Sequence, residues 1–282
     1  MLSFRRLGAV VLAALVAAGC ATPTEFYRDR EQTLLDKGFM RAERDPADVS
    51  FDNDDLRRNF IEVALYREFA PGGVQPERTA SKIWRWSGPV RYRLAGTSAG
   101  VEDRNVVADL MRRISGLSGL DIAAADRNRT DEDDGNFFIF IIDDSEREEF
   151  LEKYAERRGE DRAAFKREWQ KSIGRPCVAT IYSDGEGNIG AAIVLIKSEL
   201  TGLTRRSCIH EEIVQSFGLA NDANWIRPSL FNDTNEFAHM TLHDEYLMQI
   251  LYDDRLSPGM EVEDVEPLLD QIIADIRPEA ES

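Results

Sequence analysis

Residues 208–222 read Cys-Ile-His-Glu-Glu-Ile-Val-Gln-Ser-Phe-Gly-Leu-Ala-Asn-Asp, and this stretch decides the fold. With about 100° of rotation per helical residue, four apolar side chains share one arc: Ile209, Ile213, Val214 and Phe217. The pattern predicts a helix from about residue 204 to 217 that ends at Gly218. His210 falls inside the arc and is interpreted as a packed core residue. It does not begin an H-E-x-x-H motif, because the position four residues later is Val214.

A second pattern appears when the reading is shifted by one residue. Glu211, Glu212, Gln215, Gly218 and Asn221 fall on the spacing H-E-x-x-H-x-x-G-x-x-H. This segment resembles the active-site helix of the metzincin metalloproteases. The resemblance places Glu212 at the catalytic base and Gly218 at the turn glycine. Glu211, Gln215 and Asn221 stand where that family has its three ligand histidines.

The residues downstream of the helix extend the resemblance. Matrixin-like metzincins have a Met-Tyr-Pro-Ser turn under the metal. Ile226, Pro228 and Ser229 stand at a similar distance here, with isoleucine in place of methionine. The closing helix of that group is similar to residues 240–252, which keep its aspartate as Asp244 and its final Leu-Tyr pair.

The order of predicted elements agrees with this resemblance. Helices are predicted at 54–69, 101–114, 204–217 and 241–252, and in a last helix with Pro267 in its first turn that reaches residue 276. Strands are predicted at 83–86, 90–94, 120–123, 137–142, 177–182 and 191–196, with 190–196 as an edge strand. The resemblance spans roughly residues 84–253. It implies an α+β, zincin-like fold with a mixed twisted sheet, an active-site-type helix and C-terminal helices.

The chemistry at the ligand positions argues against a zinc enzyme. Catalytic zinc takes about three protein ligands, usually with nitrogen or sulfur donors, and keeps an open position for water. Glu211, Gln215 and Asn221 offer oxygen donors, which suit calcium or magnesium better. We therefore expect no bound cofactor, no peptidase activity and a hydrogen-bonded polar network at these positions. The alternative is a hydrolase with a divalent metal on Glu211, Gln215 and Asn221 or Asp222, and Glu212 as general base.

His239 and His243 are four residues apart and could be taken for a replacement ligand pair. They lie on either side of Thr241, the predicted N-cap of the closing helix, which forms a capping box with Asp244. The two imidazoles are therefore not expected to share a helix face or a metal.

The first residues have the composition of an export signal. Residues 1–19 contain a basic start, a short apolar stretch and small residues before Cys20. This arrangement resembles a bacterial lipobox, with Cys20 as the lipidated residue, and the alternative is an ordinary signal peptide. Ala21 favours the outer membrane over the inner one. We expect a membrane-anchored lipoprotein that faces the periplasm, with residues 20–53 as a tether.

Export also bears on the two remaining cysteines, Cys177 and Cys208. The periplasm is oxidising, so a disulfide between them is the first expectation. The alternative is a pair of buried free thiols.

Composition limits the partners. The chain of 282 residues has 35 Lys and Arg against 52 Asp and Glu, a formal charge of −17. This balance excludes a typical nucleic-acid binder and disfavours electrostatic docking on anionic lipid. A single domain is predicted over residues 54–282, with a charged helical insertion at 144–173. The sequence contains no Ser-His-Asp arrangement, no P-loop and no dinucleotide-binding glycine motif.

The chain also resembles a proteobacterial lipoprotein family called domain of unknown function 2927. The likeness is carried by residues 208–222, by the run 228–233 and by 251–260. Three functions remain open: a metzincin-like domain without zinc that binds peptide or protein, a hydrolase with an oxygen-ligated metal, and a structural envelope lipoprotein.

Overall fold

A computed structural model describes residues 22–69, 76–125, 135–143, 146, 147, 149 and 175–278. Cys20, the predicted signal segment and most of the predicted insertion at 144–173 lie outside these residues. The described part is an α+β fold with six helices and a mostly parallel sheet. The α+β class expected from the sequence is therefore confirmed.

The helices are α1 (Pro23–Asp36), α2 (Asn53–Leu65), α3 (Val101–Ser118), α4 (Gly202–Gln215), α5 (Leu242–Leu251) and α6 (Val262–Ile276). The strands are β1 (Tyr66–Phe69), β2 (Pro76–Ala80), β3 (Arg85–Trp86), β4 (Val90–Ala95), β5 (Ile122–Ala124), β6 (Phe137–Ile142), β7 (Cys177–Ser183) and β8 (Asn188–Lys197). None of the helices in the described ranges is long and apolar enough to cross a membrane.

The main sheet is built around β8. Strand β6 pairs with it in parallel, and β4 and β5 follow β6 in the same direction. Strand β7 pairs antiparallel with β8, from Cys177 opposite Ile196 to Ser183 opposite Ile189. Strands β6 and β8 are continuous apolar runs, as expected in the centre of a parallel sheet, where strands are buried on both faces.

The prediction that residues 190–196 form an edge strand is wrong. Residues 192–197 pair with β6 and residues 189–196 pair with β7, so β8 has neighbours on both sides. This position fits the composition of β8, because residues 191–197 are all buried and the strand has no polar face. Among the described strands, β7 has β8 as its one partner.

Helix α4 is held against the sheet at its C-terminal end. Trp86 donates its indole N–H to the carbonyl of Ser216 at 2.9 Å, and the hydroxyl of Tyr252 donates to the carbonyl of Phe217 at 2.9 Å. The rings of Trp86, Phe137 and Phe217 pack against one another with centroids 5.5 to 6.2 Å apart. These contacts satisfy terminal carbonyls that lack intrahelical donors and fix where Glu211 and Glu212 stand.

Two helix boundaries differ from the sequence expectation. Helix α2 ends at Leu65 rather than Phe69, because Tyr66 is extended and pairs with Ala80 of β2. Helix α6 begins at Val262, so Pro267 lies inside the helix and not in its first turn. The proline leaves the carbonyl of Glu263 without an N–H partner, and this residue is exposed to water.

The stretch predicted as a tether, residues 20–53, contains more structure than expected from residue 22 onward. It includes α1, and its later part packs on the domain through Met40, which is 2% exposed. The guanidinium of Arg44 forms an ion pair with the buried carboxylate of Glu245 on α5. These contacts come from single residues and leave no periodic pattern for sequence reading to detect.

The disulfide between Cys177 and Cys208 is confirmed, with Cα atoms 5.8 Å apart. It ties the first residue of β7 to the middle of α4 across a sequence separation of 31 residues. The strand that covers α4 and the helix that carries the glutamates are thereby joined covalently.

Removing this disulfide is expected to lower the free energy of unfolding by about 3 kcal/mol, since the cross-link restricts the unfolded chain. The measurement is urea unfolding of residues 20–282 with Cys177→Ser and Cys208→Ser. Wild type in excess reductant serves as the control and should unfold at the same midpoint as the double variant. Equal midpoints for oxidised wild type and the variant would contradict the prediction.

Candidate functional site

The site is organised by the two sides of α4. Ile209, Ile213 and Val214 are fully buried on the core side, as the apolar arc predicts. His210 is largely enclosed as well: its Nδ1 accepts a hydrogen bond from the backbone N–H of Met240 at 3.2 Å. Its ring stacks on that of His239 at 4.5 Å between centroids. These contacts give His210 a packing role.

Glu212 is 6% exposed and lies beneath β7. Burial, and then the charge of Asp222, raise the pKa of its carboxyl from the ordinary 4.5 to about 8. The backbone amide of Ala179 in β7 and the charge of Arg175 act in the opposite direction. The group at the base position is therefore a sheltered carboxyl that holds its proton near neutral pH.

Glu211 occupies the first ligand position and is partly buried. Burial, followed by the charges of Glu212 and Asp233, raises its pKa to about 8. With pKa values near 8, both carboxyls are mostly protonated at neutral pH and carry little negative charge. This favours hydrogen bonding by the pair over strong electrostatic attraction of a cation.

Gln215 and Asn221 occupy the second and third ligand positions, and both side chains are already engaged. The amide nitrogen of Gln215 donates to both carboxylate oxygens of Asp222, at 3.1 and 3.2 Å. The amide nitrogen of Asn221 donates to the backbone carbonyl and to Oε1 of Glu62, each at 3.1 Å. The two amides thus turn to different partners.

Glu62 on α2 is a residue of the site that sequence reasoning missed. Arg78 of β2 donates from Nε to both of its carboxylate oxygens, at 3.0 and 3.1 Å, so Arg78, Glu62 and Asn221 form a chain of contacts. No local signal could reveal it, because Glu62 and Asn221 are 159 residues apart in sequence.

A small cavity of about 160 Å³ opens beside α4. Glu211, Asp222 and Asp233 contribute carboxylates to its wall, and Leu230 contributes an apolar side chain. It therefore brings together the first ligand position and Asp222, the alternative third ligand. Within the part of the chain that the structure describes, no cluster of three His, Cys, Asp or Glu side chains is arranged to hold a metal ion.

Burial and hydrogen bonds hold the turn formed by Ile226, Pro228 and Ser229 in place. Ile226 is fully buried, and the hydroxyl of Ser229 donates to Asp244 Oδ1 at 2.5 Å. The hydroxyl of Thr241 lies 2.8 Å from the carbonyl of Pro228 and can donate to it. This anchoring places the following residue, Leu230, in the cavity wall.

His239 and His243 do not form a pair, as expected. His243 is fully buried on α5, where its Nε2 lies 2.9 Å from the amide nitrogen of Asn59. His239 lies before the cap of α5 and stacks on His210. The capping box of Thr241 with Asp244 is confirmed.

The raised pKa of Glu212 predicts a pH dependence of stability. The folded chain binds this proton more tightly than the unfolded chain, so the contribution of Glu212 to stability is fully present below about pH 4.5 and is lost as the pH rises through about 8. Glu212→Gln removes the titration. It should be more stable than wild type by on the order of 2 kcal/mol at about pH 9 and equal to it at about pH 4.

The check is urea unfolding at both pH values, with Glu266→Gln as the matched control. Glu266 is exposed on α6, and its variant should stay within about 0.5 kcal/mol of wild type at both pH values. Destabilisation of Glu212→Gln at high pH would contradict the prediction.

Comparison of the chain with known proteins finds a match to one protein family. No curated protein and no solved structure matches the chain. One family model matches residues 53–271, a stretch that begins with α2, includes the whole sheet and the site on α4, and ends within α6. Because that match covers well over half of the 282 residues, the chain belongs to the family described as protein of unknown function (DUF2927).

Proposed function

We propose that this protein is an exported lipoprotein whose metzincin-like domain binds peptide or protein in the cell envelope without zinc and without cleaving it. Export rests on the signal-like residues 1–19 and on Cys20 as the lipidated residue, which would anchor the domain on the periplasmic side, preferably at the outer membrane. The disulfide between Cys177 and Cys208 supports an oxidising compartment.

The zincin-like part of the proposal is supported by the order of elements. Strand β4, helix α3, strands β6 and β8, and then α4 follow one another as the resemblance implies. Gly218 ends the turn after α4 with a φ of +114°, as a turn glycine requires. The hydroxyl of Ser229 donates to Asp244, which joins the turn to the closing helix.

One observation carries the proposal: the amide side chains at two of the three ligand positions already have partners within the protein. Gln215 is bonded to Asp222 and Asn221 to Glu62. Glu211 is held at a raised pKa by burial beside Glu212. Such a network satisfies buried polar groups where a metal would otherwise do so.

A peptide ligand is favoured by the position of β7. Among the described strands of the main sheet, β3, β5 and β7 each pair with a single strand. Strand β7 is the one whose backbone reaches the site, through the amide of Ala179 and the carboxyl of Glu212. A strand edge can pair with an extended peptide.

The test uses the immobilised mature chain and a mixed peptide pool, a tryptic digest of casein. Peptides should be retained and recovered intact, with no cleavage above the buffer blank, with or without added zinc, and none in Glu212→Gln. Cleavage that disappears in Glu212→Gln would overturn the proposal. Retention no higher than on an immobilised, denatured chain would leave the structural role as the better account.

The second candidate is a hydrolase with an oxygen-ligated metal. The observation that favours it is the cavity wall, where Glu211, Asp222 and Asp233 supply carboxylates of the kind that calcium or magnesium prefers. In that case Glu212 would act as general base on a metal-polarised water. Metal content distinguishes the two candidates.

A further inference from the structure

A larger cavity, of about 420 Å³, lies on another part of the molecule. Its wall is formed by the base of the β1–β2 hairpin, by residues 81, 82 and 84, and by the first turn of α6. It has no lining residue in common with the acidic cavity beside α4. The site described above does not account for it.

Arg67 is the unusual side chain in this wall. Its guanidinium lies 4.0 Å from the centroid of the Trp84 ring, and its Nε donates to the hydroxyl of Ser81 at 3.1 Å. No carboxylate among the described residues forms an ion pair with it, and burial lowers its pKa with no opposing charge. Its two terminal nitrogens remain available as donors. By contrast, the neighbouring Arg78 is neutralised by Glu62.

Backbone donors in the same wall also lack acceptors. Val262 and Glu263 form the first turn of α6, where backbone N–H groups have no intrahelical acceptor and the helix dipole favours negative charge. The guanidinium of Arg67, which has no carboxylate partner among the described residues, is the main group that favours a bound anion here, and the helix N-terminus adds to it.

The rest of the wall limits what kind of anion fits. Tyr66, Trp84 and Val262 offer apolar surface for an organic body. Glu261 and Glu263 are exposed and add negative charge to the same wall, which disfavours a polyanion. Lys82 adds one positive charge to the same wall, and its ammonium donates to the carbonyl of Gly185 at 2.6 Å.

We propose that this cavity binds a small organic monocarboxylate, with its carboxylate on the guanidinium of Arg67 and its apolar body beside Trp84 and Tyr66. A planar guanidinium that still has two free terminal nitrogens matches a carboxylate in bidentate geometry. The site is independent of the proposed peptide-binding function.

Calorimetric titration of the mature chain tests the proposal with two matched probes, N-acetylphenylalanine and its amide. The acid should bind and the amide should bind at least tenfold more weakly. Arg67→Met keeps the aliphatic stem and should weaken binding of the acid at least tenfold. Arg57→Met is the control, because Arg57 pairs with Glu266 on another face and its variant should bind like wild type.

Arg67→Lys is a second variant, which keeps the test decisive if Arg67→Met does not fold. It keeps the positive charge and cannot form two parallel hydrogen bonds to a carboxylate. It should bind the acid with an affinity between those of wild type and Arg67→Met, and thermal unfolding should show both variants folded. Four results would overturn the proposal: no binding of the acid at millimolar concentration, equal binding of acid and amide, unchanged binding in both Arg67 variants, or tighter binding of inorganic phosphate than of the acid.

Discussion

Replacing Gly218 by alanine is expected to lower the free energy of unfolding by about 4 kcal/mol or more. Gly218 has a φ of +114°, a region that residues with a Cβ atom rarely adopt. A Cβ atom at this position would lie 1.8 Å from the carbonyl oxygen of Trp84 and 3.2 Å from Cδ2 of Leu251. The first clash is with backbone, so it can be relieved only by moving β3 away from the end of α4.

Gly116→Ala provides the matched control for this variant. Gly116 lies within α3, and a Cβ atom there would meet nothing within 4 Å. Alanine should therefore stabilise the chain by about 0.5 to 1 kcal/mol, as expected inside a helix. Urea unfolding measures both variants. A Gly218→Ala chain within about 1 kcal/mol of wild type would contradict the packing described between α4 and β3.

Asp244→Ala is expected to cost about 3 to 5 kcal/mol. The carboxylate of Asp244 is fully buried and accepts hydrogen bonds from the hydroxyl of Ser229 at 2.5 Å, from the backbone N–H of Leu230 at 3.1 Å and from the backbone N–H of Thr241 at 2.8 Å, and the hydroxyl of Thr241 lies 2.9 Å from it. Alanine would leave these donors buried without an acceptor and remove half of the capping box of α5.

Two further variants separate these contributions. Ser229→Ala removes the donor to Asp244 and the acceptor of the backbone N–H of Phe231, and it should cost about 2 kcal/mol, less than Asp244→Ala. Asp254→Ala is the control on an exposed aspartate and should lie within about 0.5 kcal/mol of wild type. Thermal and urea unfolding give the values. If Asp244→Ala were no more destabilised than Ser229→Ala, the carboxylate would not be the centre of the turn.

Much of the fold follows from local patterns. The apolar arc of Ile209, Ile213 and Phe217 predicts α4, and Gly218 predicts where it ends. The buried runs at 137–142 and 191–196 predict two strands that the structure contains. The pairing of the strands does not follow from these patterns. Continuous apolar runs do not show which strand lies beside which, and they leave β8 predicted at the edge, although it pairs with both β6 and β7.

The sequence selects candidate site residues by spacing and does not give their contacts. Spacing alone selects Glu211, Glu212, Gln215 and Asn221. The partners of these residues depend on tertiary structure, since Asn221 reaches Glu62 on α2 and Glu212 lies under the amide of Ala179. The sequence marks Asp222 only as an alternative ligand. Its hydrogen bond with Gln215 depends on the turn at Gly218.

Metal content tests directly whether a metal centre exists beside α4. Residues 20–282 are purified without chelator and measured by elemental mass spectrometry before and after dialysis against zinc, calcium or magnesium. Well below one metal ion per chain is expected in wild type, with the same value in Glu211→Ala. One metal ion per chain in wild type that is lost in Glu211→Ala would contradict this expectation and establish a metal centre beside α4.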